Sequence, residues 1–132
     1  MAEIHVPISP GELIDKLTIL QIKSERMSDA KKLANVRLEL KLLTDTWTAS
    51  DYAKINIDAE WNELKRINAA LWDIEDEIRD EERACRFGAK FIELARAVYV
   101  TNDDRAAVKR KINDKLGSKI VEEKSYADYK VK

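Results

Sequence analysis

The sequence predicts a mainly α, single-domain helical bundle built on a long antiparallel coiled-coil-like hairpin, and three observations lead to that fold class. The chain has 132 residues, which fits one domain able to bury about two thirds of its unfolded surface. Charged residues make up 37% and apolar residues 45%, with 3 Gly and 2 Pro, which is typical of long helices. The third observation is an apolar heptad repeat that continues through residues 57–85.

Residues 57–87 form the longest predicted helix, the spine of the bundle. One position of its heptad repeat is occupied throughout by apolar residues, namely Ile57, Leu64, Leu71, Ile78 and Cys85. A repeat of this period keeps one seam of the helix turned toward a partner, here over roughly 40 Å. Cys85 on that seam is expected to be a buried, inert thiol. Gly88 is the expected left-handed stop.

The N-terminal residues predict a short strand followed by a helix. Apolar and other side chains alternate in residues 3–8, which indicates a half-buried strand at the edge of a sheet. Ser9 can cap a helix over residues 10–27. Ile19 and Ile22 lie on the back of that helix, away from its main apolar stripe. We therefore predict burial on two sides and a homodimer.

The remaining helices complete the bundle. The predicted helix over residues 29–46 repeats the heptad spacing of the spine, so the two predict an antiparallel hairpin that forms the core. Two shorter helices, over residues 89–100 and 103–116, flank this hairpin. The cap-rich residues 101–104 separate them and place acidic side chains at the start of the second.

The two ends of the chain are predicted to pair. Residues 119–124 have strand character, and a short strand standing alone leaves its main-chain groups without protein partners. We therefore predict an antiparallel two-stranded pairing of residues 3–8 with residues 119–124. This pairing would hold residues 122–126 against the start of the first helix. The alternatives are pairing across a dimer, or coil over residues 119–124.

Charge is distributed unevenly although the net charge is −1. Residues 58–84 contain ten acidic and four basic side chains, a net charge of −6, whereas residues 105–132 contain nine basic and four acidic side chains, a net charge of +5. Two interpretations remain open. Either these parts of the chain fold against each other, or the basic C-terminal part binds an anionic partner.

The sequence lacks the residues that many catalytic and metal sites need. Its single histidine, His5, excludes a di-metal bundle that needs Glu-x-x-His on two helices. It has no Cys-His cluster for zinc and no Gly-rich phosphate loop. We expect no metal and no cofactor, and we favour a non-enzyme. Without a signal peptide or a long apolar run, the chain is expected to be cytoplasmic and to stay outside the membrane.

The candidate site is the polar stretch around the junction of the two short C-terminal helices. A helix N-terminus together with Arg and Lys side chains can bind the phosphate or carboxylate group of an anionic small molecule. The candidate ligand-binding residues are Tyr99, Asn102, Arg105, Lys109, Arg110, Lys124 and Tyr126. The alternative is that these residues only cap helices and pair with the acidic spine.

A nucleic-acid-binding regulator is a further alternative. Residues 89–116 can be interpreted as a helix-turn-helix whose basic side would contact nucleic acid. However, Asp103, Asp104 and Asp114 weaken the positive field on that side. Nucleic acid is therefore not the favoured partner.

Most of the chain resembles a small bacterial domain family of unknown function. The resemblance lies in residues 7–20 (PISPGELIDKLTIL), 71–79 (LWDIEDEIR), 94–99 (LARAVY), 102–103 (ND), 105–106 (RA), 109–113 (KRKIN) and 122–126 (EEKSY). Members of that family resemble stand-alone proteins or modules encoded beside sugar-transfer and surface-polysaccharide genes. The resemblance thus implies a non-enzymatic interaction or accessory module with a partner in polysaccharide assembly. It implies no reaction and no catalytic residue. The alternative function is that of an anion or sugar-phosphate binding protein, or of an enzyme that uses such a ligand.

Overall fold

The computed structural model describes residues 2–130 and confirms a mainly helical bundle. Within that range it contains one short 3-10 turn (Asp51–Lys54) and four helices: α1 (Pro10–Arg26), α2 (Ala30–Ala49), α3 (Asp58–Arg83) and α4 (Ala89–Leu116). No helix among these residues combines the length and the apolar composition that crossing a membrane requires.

Local capping explains where several helices begin and end. The hydroxyl of Ser9 accepts a hydrogen bond of 3.2 Å from the Glu12 amide, and Pro10 is the first residue of α1. The Asp29 side chain caps α2 in the same way, accepting from the amide of Lys32 at 3.0 Å. α4 ends at Gly117, whose φ of 67° lies in the left-handed region that favours glycine.

The central helix is α1, which packs against α2, α3 and α4. The predicted hairpin of α2 with α3 is wrong, because α2 packs on α1 and makes no extended contact with α3. The heptad periodicity identified the inner face of each helix correctly but does not encode which helix covers it. The buried core consists of Leu13, Ile14, Leu17, Ile57, Leu64, Ile67, Leu71, Val108, Ile112 and Leu116.

The seam of α3 is buried only over its first half. Leu64 and Leu71 are buried, whereas Ile78 is half-buried. Cys85 is exposed, contrary to the expected buried thiol. The helix ends at Arg83, and Cys85 has a positive φ of 56°, so the chain turns away from the seam before this residue. The left-handed position expected at Gly88 is therefore taken by Cys85.

The predicted break at residues 101–104 does not form, and α4 is one continuous helix of 28 residues. A cap-rich segment ends a helix only where its side chains replace the main-chain hydrogen bonds, and here Asp103 and Asp104 point outward while the helix continues. An apolar stripe that packs on α3 holds both halves together. The junction that defined the candidate site is therefore absent, and residues 89–116 form no helix-turn-helix.

The predicted strand pairing of the chain ends is wrong. Residues 3–8 and 119–124 are irregular, and no main-chain hydrogen bond links them in the described part of the chain. Ile4 is 91% exposed and Ile120 is 44% exposed, so neither covers the other. The composite surface that depended on this pairing is absent as well.

The isoleucines on the back of α1 are covered within the single chain. Ile22 is 2% exposed and Ile19 is half-buried, because α1 is surrounded by three helices rather than placed at the edge of the bundle. These residues therefore no longer support the homodimer, which stays a prediction.

Candidate functional site

A row of buried polar residues lies where α1, α3 and α4 meet. We call this row the polar seam, and it consists of Gly11, Asp15, Thr18, Asn68, Arg105, Lys109 and Asn113. Its α1 members are spaced by four and three residues and its α4 members by four, which places each set on one face of its helix. The seam therefore connects three helices through side chains that their sequences place on their inner faces.

Asn68 of α3 is the centre of the seam. Its side-chain nitrogen donates to Asp15 Oδ1 at 2.9 Å and to Thr18 Oγ1 at 3.0 Å. Its side-chain oxygen accepts from Arg105 at 3.4 Å. The Thr18 hydroxyl in turn donates to the main-chain oxygen of Asp15 at 2.9 Å. Asn68 is 5% exposed and Thr18 is fully buried, so these groups depend on one another for their hydrogen bonds.

Gly11 permits α1 and α4 to approach closely. Its amide donates to Asn113 Oδ1 at 2.7 Å, which satisfies one of the free amides in the first turn of α1. A Cβ at this position would lie 2.6 Å from the Lys109 main-chain oxygen and 2.8 Å from Asn113 Oδ1. A residue larger than glycine therefore does not fit between the two helices.

Lys109 brings the charged groups of the site together. Its Nζ lies 2.7 Å from Glu12 Oε2, 3.0 Å from Glu122 Oε1 and 4.0 Å from Asp15 Oδ2. Burial opposes the charged form of Lys109, but the hydrogen bonds to Glu12 and Glu122 and the charge of Asp15 outweigh it and raise its pKa above the ordinary value. The ammonium is therefore held charged in a largely buried position.

The C-terminal segment, residues 122–124, lies along α4 next to Lys109. Glu123 pairs with Arg110 at 3.2 Å, and Lys124 pairs with Asp103 at 3.8 Å. Arg110 also donates to the main-chain oxygen of Glu122 at 3.4 Å. Between this segment and α4 is a cavity of about 320 Å³, lined in part by Arg110, Glu122 and Lys124.

The structure brings together four of the seven predicted site residues. Arg105 and Lys109 belong to the polar seam, and Arg110 and Lys124 line the adjacent cavity. Since α4 is continuous, these residues project from the side of that helix, so the helix N-terminus predicted near residue 103 contributes no amides to the site.

The other three predicted residues lie apart from the cavity. Tyr99 is 43% exposed and packs edge-on against Tyr129, with ring centroids 5.1 Å apart. Asn102 is half-buried one turn before Arg105. Tyr126 is 85% exposed, and its ring centroid lies 5.7 Å from Lys124 Nζ.

The sequence interpretation missed the partners on α1 and α3. Asp15 and Thr18 stand in an otherwise apolar part of α1, and this was the signal that could have identified them, because a polar residue on an apolar face needs a partner. Asn68 gives the same signal, because Leu64, Ile67 and Leu71 surround it on the apolar face of α3. Which groups it would pair with could not be predicted, because its partners on α1 are 50 and 53 positions away in the sequence.

The first interpretation of the uneven charge, in which the acidic and basic parts fold against each other, describes part of the structure, whereas binding of an anionic partner stays a prediction. Lys111 and Lys115 of α4 pair with Glu63 and Glu60 of α3, at 3.5 Å and 3.1 Å. Lys109 instead pairs with α1 and with the C-terminal segment. The basic face of α4 is thus divided between the acidic helix α3 and a separate site.

Acidification is expected to destabilise the chain through Glu12. Burial raises the pKa of Glu12, but the hydrogen bond and charge of Lys109, together with Lys16, outweigh burial and lower it. A carboxyl with a lowered pKa contributes stability above its unfolded value of 4.5, and this stability is lost as the pH falls through the folded value. We expect the melting temperature of Glu12→Gln to fall less with acidification than that of the wild type. Melting temperatures measured by circular dichroism over a range of acidic pH test this. An equal dependence of melting temperature on pH in the two proteins would contradict the expectation.

Comparison with known protein families gives a match over nearly the whole chain. Residues 4–130 match a family described as "Family of unknown function (DUF6165)". No curated protein matches the chain. No solved structure matches it either.

Proposed function

The chain belongs to a family of unknown function, DUF6165, and we propose that it acts as a non-enzymatic interaction module that binds a second copy of itself. The observation that carries this proposal is the exposure of α2. This helix has 20 residues, of which Val36 alone is buried, and it packs on α1 and the following 3-10 turn. Leu38 is 61% exposed and Leu42 is 45% exposed, so apolar surface remains uncovered on α2.

A groove lies between α2 and the N-terminal segment, residues 3–8. Its volume is about 600 Å³, and its apolar lining includes Ile4, Val6, Leu13, Leu42, Leu43 and Trp47. Ile4 and Val6 are 91% and 65% exposed, so the segment itself adds to the uncovered apolar surface. Contiguous apolar surface of this kind is typical of an interaction site.

A second copy of the chain fits this groove for two reasons. Residues 3–8 are irregular and alternate in polarity, and their main-chain groups make no hydrogen bonds to one another or to the rest of residues 2–130. They can therefore pair with the same segment of another copy. The rim of the groove also carries both signs of charge, at Lys16 and Glu39. In a two-fold interface each patch faces itself, so mixed charges can complement each other.

The family resemblance suggests where this module acts. We propose a bacterial cytoplasmic role beside the enzymes of surface-polysaccharide assembly, where the homodimer would bind a protein partner. Deletion of the gene should then reduce the amount of surface polysaccharide, and normal polysaccharide in the deletion strain would contradict this part of the proposal.

Leu42→Glu is expected to convert the dimer to a monomer. The side chain is half exposed in the single chain, so the charge should leave the fold intact while it enters the proposed interface at a cost of several kcal/mol. Mass should be measured by light scattering or sedimentation, and helix content by circular dichroism. Val6→Glu should act in the same way, because Val6 lines the groove and is 65% exposed, so the charge should enter the interface and leave the helices intact.

Ile92→Glu is the matched control. Ile92 is 55% exposed on α4 and is not part of the groove, so this variant should remain a dimer. A wild-type protein that is monomeric at hundreds of micromolar would overturn the proposal. A dimer that survives both groove variants would overturn it as well.

A further inference from the structure

We propose that residues 122–124 form a displaceable cover over an anion-binding site on α4, and that the ligand of this site is a small molecule carrying a phosphoryl group. The binding residues are Lys109, Arg110 and Asn113. The cover supplies two carboxylates, Glu122 and Glu123, which occupy the position of the ligand in the closed form.

The first argument comes from the surroundings of Lys109. Two of its three carboxylate neighbours, Glu12 and Asp15, belong to α1 and are fixed by the fold. The third, Glu122, comes from an exposed segment beyond the end of α4 and lies 3.0 Å from Nζ. One face of a largely buried ammonium is therefore satisfied by a group that can leave, and an oxygen of an external anion can replace it.

The second argument is the pair of negative charges on neighbouring residues. Glu122 Oε1 lies 3.0 Å from Lys109 Nζ, and Glu123 Oε2 lies 3.2 Å from the Arg110 guanidinium. A phosphoryl group carries about 1.5 to 2 negative charges near neutral pH and three acceptor oxygens, so it can replace both carboxylates at once. The planar guanidinium of Arg110 suits such a group because it can donate two parallel hydrogen bonds.

The third argument is the space beneath the cover. The cavity of about 320 Å³ is lined by Arg110, Asn113, the carboxylate of Asp114 and the cover, with Ala106, Ala107 and Val121 as its small and apolar wall. The amide oxygen of Asn113 is occupied by the Gly11 amide, so its amide nitrogen is the group left to donate into the cavity. The cavity has the volume of a small-molecule site, and the body of the ligand would lie there.

The cover is attached in a way that permits it to move. Its described main-chain amides make no hydrogen bond to a helix, and its residues are exposed throughout. Apart from the contacts of Glu122 with Lys109 and Arg110, the cover is held by exposed ion pairs, including that of Lys124 with Asp103 at 3.8 Å. Such pairs are weak. The turn at Gly117 and Ser118, which residues 119–121 connect to the cover, provides the pivot.

Titration calorimetry with pyrophosphate tests the proposal on the full chain. The double variant Glu122→Gln/Glu123→Gln should bind pyrophosphate roughly tenfold more tightly than the wild type, because it removes a competitor tethered at high effective concentration. Arg110→Gln should abolish binding, and its exposed position means that the fold is retained. Circular dichroism should show the same helix content in all variants.

A control separates competition from a change in net charge. Glu77→Gln/Glu82→Gln removes the same two charges from exposed positions on α3, and it should bind pyrophosphate as the wild type does. If the cover variant and this control bind pyrophosphate with equal affinity, residues 122–124 do not compete with the ligand, and the proposed cover is overturned. Binding of citrate without binding of pyrophosphate or inorganic phosphate would overturn the phosphoryl assignment. Absence of binding by the cover variant at millimolar concentrations of these three anions would overturn the site.

Discussion

Asn68→Ala is expected to lower the free energy of unfolding by about 3 kcal/mol. The substitution removes the amide that donates to the Asp15 carboxylate and to the Thr18 hydroxyl, at 2.9 Å and 3.0 Å. The carboxylate would then be buried with Lys109 at 4.0 Å as its nearest cation, beyond hydrogen-bond distance. A buried charge without a donor is among the few changes that destabilise a protein this strongly.

Asn62→Ala is the matched control for this prediction. Asn62 lies on the same helix and is exposed, so the gain in helix propensity is the same while no buried group loses a partner. Its effect should stay within about 0.5 kcal/mol. Chemical denaturation of both variants measures the difference. If the two variants unfold at the same denaturant concentration, the seam contributes nothing to stability through Asn68.

Gly11→Ala is expected to lower the free energy of unfolding by about 2 kcal/mol, in the range seen for overpacked sites. The added methyl group would lie 2.6 Å from the Lys109 main-chain oxygen, and a main-chain atom inside a helix cannot move aside alone. α1 and α4 would have to separate, which also lengthens the hydrogen bond from the Gly11 amide to Asn113. The better helix propensity of alanine opposes this cost by about 1 kcal/mol and is included in the expected value.

Gly88→Ala tests the same added methyl group at a position with open space. No atom lies within 4 Å of a Cβ at residue 88, and its φ of −87° is open to any residue. Gly88 is the N-cap of α4, where alanine is less favourable than glycine by up to about 1 kcal/mol, so this variant should lose less stability than Gly11→Ala. A Gly11→Ala protein as stable as Gly88→Ala would show that α1 and α4 are not as close as the structure places them.

Much of the local structure could be predicted because its causes are local. The start of α1 follows from a serine, a proline and the neighbouring amides, and the end of α4 follows from a glycine with a positive φ. The partner of α2 could not be predicted in this way, because an apolar stripe is compatible with any apolar surface. The predicted division of α4 into two helices is wrong because a local signal was present but did not decide the structure. Residues 101–104 have local capping preferences, and packing against α3 overrides them.

The candidate site shows the same division between local and long-range causes. Arg105, Lys109 and Arg110 were identified because basic residues on one helix are visible in the sequence. Their fixed partners Asp15 and Asn68 are visible only as polar residues on apolar faces, and their pairing could not be predicted because they meet only after three helices have packed. The sequence predicts a strand over the acidic residues of the cover, although no main-chain ladder forms and the segment is held mainly by the side chains of Glu122 and Glu123.

The polar seam also bears on which arrangement of the helices the chain selects. Apolar faces tolerate rotation or a shift by one turn, since leucine and isoleucine pack against many surfaces. A shift of α1 by one turn would separate Asp15 from Asn68 and bury both without partners. We therefore expect the seam to raise the energy of competing packings by more than it lowers the energy of the native one. Replacing it with well-fitted apolar residues should then keep the helices and lose their unique alignment, visible as broadened side-chain resonances.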